Sequence, residues 1–423
     1  MVYIYSKLSK EKSFFGRTDP IEISEKYGTP VYVYNENILR KRCRDLKGLL
    51  TYPRFTVNFS PKANSNLELI KIVRSEGLKV DAMSPGEIYV NLLAGYKPEE
   101  IFYISNNVSK DELIYAINAG VHISVDSVSQ LELFGQINPG GSVAFRINPG
   151  IGAGHHEKVM TGGNKTKFGI EMSYIPEVKR ILNQYHLKLT GINQHIGSLF
   201  MESDAYMAST ENILSIARQF DDLEFIDLGG GFGIPYRKQD NQSRLDLKDL
   251  GNKLTDVILS WVKEYGKQIE FKVEPGRYIV AESSILLGSV NALKTNYNIK
   301  YVGTDLGFNV LLRPAMYDSH HDVEVYRKSD KPSEKDEHVR IVGNICESGD
   351  IIARDRKLPE IFEQDILGIM DSGAYGYSMS SNYNLRLRPA EVLINADGNP
   401  RLIRRRDTFE DLVGNFIDEG IRC

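Results

Sequence analysis

The chain of 423 residues carries 52 basic and 56 acidic side chains for a formal charge of -4, a balance that offers no basic surface to nucleic acid or an anionic membrane. Its length exceeds one ordinary hydrophobic core, so a large domain with a companion is expected. Three cysteines, Cys43, Cys346 and Cys423, are too scattered for a disulfide framework or a zinc cluster and point to a reducing cytoplasm, while residues 1–12 hold no signal-like apolar run and no segment is apolar enough to span a bilayer.

From Arg54 a unit of roughly 25 residues recurs: a β-rich run, a polar cap, an apolar-periodic helix and a glycine stop. In the first unit Phe55–Phe59 is the strand, Asn64 or Ser65 the cap, Leu69, Ile72 and Val73 the apolar face, and Gly77 the stop. The second starts at 78–81, with Ser84, Pro85 and Glu87 in a capping-box pattern and Gly95 as stop; the third has Ile101–Ile104, then Ser109 with Glu112, then Gly120. Further strands are expected at His122–Val125, 143–147, 189–194, 225–228 and 271–274. Eight alternating strand and helix units predict an α/β fold, a closed parallel (β/α)8 TIM barrel, against an open doubly wound sheet as the main competitor.

After about residue 284 short β-rich runs dominate, at 301–302, 339–342 and Ile366–Met370, and predict a second, C-terminal β-sandwich or barrel-like domain. The charged stretch 328–338 reads as a solvated loop within it. The expected division is a barrel over 31–284 and a β domain drawn from 1–30 and 285–423.

A parallel barrel assembles its site from loops at the carboxyl ends of its strands, and the reactive residues fall there. Lys62 follows strand one, Arg146 ends strand five, His195 ends strand six, Gly229-Gly230-Gly231-Phe232-Gly233 follows strand seven, and Glu274-Pro275-Gly276-Arg277 ends strand eight. A lysine at a strand end is either an ordinary surface residue or, partly desolvated, a Schiff-base former. The glycine run lets backbone N–H groups approach a phosphate, and a following helix start would add its dipole; a plain tight turn is the alternative. His195-Ile196-Gly197-Ser198 places an imidazole suited to stacking on a flat ring beside a hydroxyl that can reach phosphate.

In the β domain, Arg313-Pro314-Ala315-Met316-Tyr317 offers a guanidinium fork for a carboxylate, Cys346-Glu347-Ser348-Gly349-Asp350 sets a thiol beside carboxylates, and Gly373-Ala374-Tyr375-Gly376 puts a phenol in a glycine-flanked turn. Each is also consistent with a surface ion pair, a buried cysteine or ordinary packing. The pairs His155-His156 and His320-His321 lack the spacing of a helical zinc site, so no metal is expected.

The order and positions of these motifs, together with Tyr27-Gly28-Thr29-Pro30, Lys62-Ala63-Asn64-Ser65-Asn66, Thr161-Gly162 and Lys167-Phe168-Gly169, resemble the pyridoxal-phosphate decarboxylases of the alanine-racemase-like fold, the diaminopimelate decarboxylase branch above all. The resemblance implies a soluble cytoplasmic homodimer, without nucleic-acid or membrane partners, that uses pyridoxal 5'-phosphate to decarboxylate meso-2,6-diaminopimelate to L-lysine. It further implies that Lys62 holds the cofactor covalently, that His195 stacks on its ring with Glu274 facing the ring nitrogen, and that Ser198, Gly231, Gly276, Arg277 and Tyr375 also bind it. Substrate contacts would come from Arg277, Arg313, Tyr317, Glu347 and Tyr375, and the returning proton from Cys346, with Lys62 as alternative donor. Cys346 and Glu347 would be supplied by the other subunit.

Departures from the family pattern lie at Asn58-Phe59-Ser60-Pro61, at His155-His156-Glu157-Lys158-Val159-Met160, at Asn193 and at Thr304-Asp305-Leu306-Gly307-Phe308-Asn309. They keep decarboxylases of ornithine, arginine, carboxynorspermidine or a siderophore intermediate in view. An amino-acid racemase, or a barrel-only cofactor-binding protein, is a more distant alternative.

Overall fold

The computed structural model describes residues 2–4, 8–150, 163, 166–328 and 335–416. His155-His156, Thr161-Gly162 and Cys423 lie outside the described residues. The chain divides into two compact units, one of Leu39–Pro235 with Ser243–Val280, the other of Met1–Ile38, Tyr236–Gln242 and Ala281–Cys423.

The first unit is a closed barrel of eight parallel strands: β1 (Phe55–Phe59), β2 (Lys79–Ala82), β3 (Ile101–Ile104), β4 (His122–Val125), β5 (Ser142–Arg146), β6 (Lys188–Asn193), β7 (Phe225–Asp227) and β8 (Glu270–Val273), with β8 closing on β1. Helices follow as the periodicity predicts, and serines cap three of them. Ser84, Ser109 and Ser127 accept from the backbone N–H of Glu87, Glu112 and Gln130, satisfying donors that a helix start leaves open. The first helix differs from expectation. Its cap is Asn66, because Asn64 is spent upstream accepting the Asn66 N–H at 3.0 Å and holding the turn that carries Lys62.

Inside the barrel Phe102 and Phe225 meet edge to face at 5.2 Å and pack with Ile104 and Ala144. Gly191 in β6 makes this possible, since a Cβ there would fall 2.5 Å from the Phe225 ring.

The second unit is a ten-stranded mixed sheet. Its backbone is the 13-residue strand Ser284–Asn296, paired along one half with Ile366–Met370 and Val31–Asn35 and along the other with Ile299–Thr304. Val31–Asn35, placed with the barrel by the sequence division, thus belongs to this sheet. Phe14, Val31, Val33, Ile285, Leu287 and Val392 lie in its core. The stretch 328–338 is not simply a loop: Val323–Lys328 and Asp336–Val342 are strands, 329–334 lies outside the described residues, and Glu337 within the second strand pairs with Lys300 at 2.6 Å. Among the described residues no helix is long and apolar enough to cross a membrane, and no cluster of three or more His, Cys, Asp or Glu is arranged to hold a metal ion.

Candidate active site

The barrel mouth is built from the ends of β1, β2, β5, β6, β7 and β8. After β1 the chain makes a 3-10 turn, Pro61–Ala63, that presents Lys62 half-buried. The turn is tied to the loop after β8, because Ser60 N–H donates to the Pro275 carbonyl at 3.2 Å and a Cβ on Gly276 would meet Ala63 Cβ at 2.9 Å. Ser60 Oγ also donates to the carboxylate of Asp81, at the end of β2.

After β6, His195 Nδ1 accepts the Gly230 N–H at 3.1 Å. Burial holds its imidazole well below the ordinary range, and the charges of Lys62 and Arg146 push the same way. The ring is therefore neutral near pH 7, with its proton on Nε2. The glycine turn after β7 is demanded by backbone packing. Gly231 has φ +101 and a Cβ there would lie 2.5 Å from the Gly197 carbonyl, while one on Gly230 would lie 1.9 Å from the Glu274 carbonyl. Arg277 donates to Ser198 Oγ at 2.9 Å, joining the loops after β6 and β8. One expectation fails here: no helix opens at the glycine turn, since the next one, Leu247–Tyr265, begins well downstream behind Asp246. The turn therefore offers backbone N–H groups beside Ser198 and Arg277, without a helix dipole.

Three buried acids stand at strand ends of the mouth, two of them, Asp81 and Glu274, within reach of the Lys62 charge. Burial lifts Asp81 to about 8, partly offset by Lys62 and by the Ser60 hydrogen bond. It lifts Asp227, at the end of β7, to about 6, offset by the Gly229 N–H, which Asp227 Oδ1 accepts at 2.8 Å, and by Lys272. Glu274 is pushed well above the carboxylate range by burial, with Asp227 and Asp81 adding repulsion and Lys62 and Arg146 opposing it. Glu274 Oε1, Asp227 Oδ2 and Asp81 Oδ1 are buried with no hydrogen-bond partner among the described residues. Arg146, at the end of β5, lies 3.8 Å from Asp126 and over the Phe168 ring at 4.5 Å. A buried carboxyl oxygen without a donor fits a ring N–H, and an amine at the same mouth fits an aldehyde, so these residues suit pyridoxal phosphate.

The remaining expected site residues lie in the second unit. Arg313 opens the short helix Arg313–Tyr317 and is buried, while Tyr317 and Tyr375 are half-buried, the latter at φ +56. Cys346 and Glu347 are exposed on a turn wound about Asp350, whose carboxylate accepts the Ile345 N–H at 2.7 Å and the Phe308 N–H at 2.6 Å; Glu347 accepts from the Tyr383 hydroxyl at 2.8 Å. Sequence reasoning gave Asp81 and Asp227 no role. Their signal was an acid inside a strand otherwise apolar enough to be buried, a costly placement that asks for a reason.

Comparison with known proteins agrees with this geometry. A family model described as "Pyridoxal-dependent decarboxylase, pyridoxal binding domain" matches residues 36–281, which makes the barrel a pyridoxal-binding domain of that class. The chain is 45% identical to the diaminopimelate decarboxylase of Methanothermobacter thermautotrophicus over 408 residues, covering 94% of each. It superimposes with a TM-score of 0.86 on the M. jannaschii diaminopimelate decarboxylase in co-complex with L-lysine, at 33% identity over 95% of each chain. The Helicobacter pylori diaminopimelate decarboxylase complexed with L-lysine gives 0.85 at 30% identity, covering 94% of this chain and 98% of that one. The chain belongs to the diaminopimelate decarboxylase family.

Proposed function

We infer that this protein decarboxylates meso-2,6-diaminopimelate to L-lysine with pyridoxal 5'-phosphate. The observation that carries the reading is the barrel mouth, where Lys62, a neutral His195 and the donor-less Glu274 Oε1 meet within a chain 45% identical to a named diaminopimelate decarboxylase. When bound, the cofactor supplies the electron sink that accepts the pair released as carbon dioxide leaves.

The chain's own residues do the rest. Lys62 Nζ would hold the cofactor at its aldehyde. Glu274, kept from ionising alone by burial, shares its proton with the ring nitrogen and so keeps that ring able to draw electrons. His195 gives the ring a flat neutral face, which adds no charge to compete with Glu274. Ser198, Arg277 and the N–H groups about Gly231 and Gly276 take the phosphate, and Tyr375 borders both cofactor and substrate. Arg277, Arg313 and Tyr317 fix the carboxylate at the far end of the substrate and Glu347 its far amine, which holds the departing carboxylate in one orientation. Cys346 Sγ then returns a proton to the carbon that has lost carbon dioxide; Lys62 is the alternative donor.

Cys346 and Glu347 are exposed on their own chain, which supports a homodimer in which each chain lends them to its partner's site. Cys43 and Cys346, neither of them in a disulfide among the described residues, support a reducing cytoplasm.

The test incubates purified holoenzyme with meso-diaminopimelate, ornithine, arginine and carboxynorspermidine and measures carbon dioxide and product. Release from diaminopimelate with formation of lysine is expected. Release from another of these substrates alone would overturn the specificity while leaving the fold intact.

A further inference from the structure

Arg313 is almost wholly enclosed, with 1% of its surface exposed, and its guanidinium is held on an edge and on a face. On the edge, Nη1 lies 2.8 Å from His321 Nε2. On the face, Cζ sits 4.5 Å from the centroid of the Tyr236 ring. A guanidinium has only donors, so His321 Nε2 accepts; the other ring nitrogen, Nδ1, lies 2.7 Å from the Met370 carbonyl, which can only accept. Together the two contacts allow only the neutral imidazole with its proton on Nδ1. Tyr236 meets that imidazole edge-on at 5.2 Å and 76°, so ring, imidazole and guanidinium form one packed set.

The backbone that carries the set is itself pinned. Tyr236 arrives on the short excursion Tyr236–Gln242. Gln239 in that excursion donates its N–H to Asp322 at 3.0 Å, next to His321, and Lys238 pairs with Asp371, next to Met370. Stacking platform and acceptor are thus fixed to the same two neighbouring segments. A carboxylate takes two parallel N–H bonds from a guanidinium only when it lies in the plane of the fork, so whatever sets that plane sets the recognition.

We propose that His321 and Tyr236 are positioning residues that hold the Arg313 fork in one plane and thereby make the enzyme select diamino acids carrying a second, remote carboxylate. The proposal rests on the functional reading above, in which Arg313 receives that carboxylate. Neither residue touches the reacting atoms; both act through Arg313.

The experiment uses the cofactor-loaded enzyme with His321→Leu, which removes the acceptor, His321→Gln, which restores an acceptor near the position of Nε2, Tyr236→Leu and Tyr236→Phe. For each, kcat and KM for meso-diaminopimelate are measured. Binding of L-lysine, which keeps the remote carboxylate, and of cadaverine, which lacks it, is followed by the visible absorbance of the bound cofactor. His321→Leu and Tyr236→Leu are expected to raise KM and weaken L-lysine by about 10- to 100-fold, the cost of a misplaced binding group. Cadaverine affinity stays unchanged, and His321→Gln and Tyr236→Phe recover most of the loss. Equal weakening of L-lysine and cadaverine, or a fall in kcat at constant KM, would overturn the proposal. If His321→Leu fails to fold, the Tyr236→Leu and Tyr236→Phe pair makes the same comparison. Failure of the functional reading shows separately, as absence of carbon dioxide release from diaminopimelate by the unmodified enzyme.

Discussion

The two ends of the barrel use the same kinds of charged residue to opposite effect. At the floor, Glu270 at the start of β8 receives a hydrogen bond from Thr56 and pairs with Lys79 at 3.3 Å and Lys272 at 3.5 Å. Burial raises its pKa, yet Lys272, Thr56 and Lys79 more than offset that and leave it below the ordinary range. Lys272 rests on the Phe225 ring at 3.8 Å, so the cation is enclosed by aromatic faces as well as paired. At the mouth, just past the end of the same strand, Glu274 is more deeply enclosed than Glu270 and is pushed upward, together with Asp81 and Asp227. A compensated, partly buried acid sits at the floor. A cluster of acids that is only partly compensated stores a demand for a proton or a cation, and in a parallel barrel it is the carboxyl end that carries such groups.

The largest effect expected from this contrast comes from Lys62→Ala. Its amine acts on Asp81, Glu87, His195 and Glu274 at once, and it is the group that would hold the aldehyde. Activity and the visible absorbance of bound cofactor are both expected to vanish, while far-ultraviolet circular dichroism stays that of the parent. Retention of absorbance and turnover in this variant would sink the whole assignment.

Next comes an exchange between the ends. Glu274→Gln should lower kcat on the order of 10²- to 10³-fold, as for loss of a preorganised electrostatic group, with little loss of stability because an unfavourable buried acid is removed. Glu270→Gln should do the reverse, costing about 2–3 kcal/mol in urea unfolding because Lys272 is left enclosed with less compensation, with kcat within about threefold. Equal losses of turnover in the two variants would erase the distinction between mouth and floor.

A third, smaller effect is read in pH. Asp81 has a folded-state pKa of about 8, above its unfolded value, so the folded protein binds the proton more tightly. Its contribution to stability is therefore complete below about pH 4 and is lost as the pH rises through about 8. Glu270, lowered in the fold, has the opposite sign: its contribution is present above about pH 4 and lost below it. Cofactor-free Asp81→Asn should flatten the decline between pH 5 and pH 8 by on the order of 1–3 kcal/mol, short of the full linkage value because Asp227 and Glu274 titrate with it. Urea midpoints across that range check it, and identical slopes for parent and variant would refute it.

How much of this was legible beforehand follows the range of the forces involved. Strands Phe55–Phe59, Ile101–Ile104 and His122–Val125 stand where β-rich runs between glycine stops and serine caps put them, because those signals are local. The strand ends then located Lys62, His195, Glu274 and Arg277 at the mouth without any knowledge of contacts. What could not be read depends on distant partners. Asp336, Glu337 and His338 look like loop residues, yet they join a strand because Ile351–Pro359 and Ile299–Thr304 flank it, with Lys300 meeting Glu337. The helix expected after the glycine run is absent, since Gly229 to Gly233 are used to let the backbone approach the Glu274 and Phe200 carbonyls. In the sequence His320-His321 reads only as a histidine pair without zinc spacing; the Arg313 partner of His321 is eight residues away and its second contact, Met370, lies far along the chain.

The smallest expected effect separates position from chemistry. Ser109 lies at the same rim as the active loops, just after β3, and shares a capping box with Glu112: its hydroxyl accepts the Glu112 N–H at 3.2 Å while Glu112 accepts the Ser109 N–H at 2.8 Å. Ser109 is exposed, Glu112 is half-buried, and the two bonds are reciprocal, so this site resembles the floor in being compensated although it belongs to the mouth. Ser109→Ala should cost about 1 kcal/mol in unfolding free energy, the usual worth of such a cap, and leave kcat and KM for diaminopimelate unchanged. A loss of turnover here comparable to that of Glu274→Gln would mean that the rim as a whole is tuned, and that the incomplete compensation at Asp81, Asp227 and Glu274 is not what marks that end of the barrel.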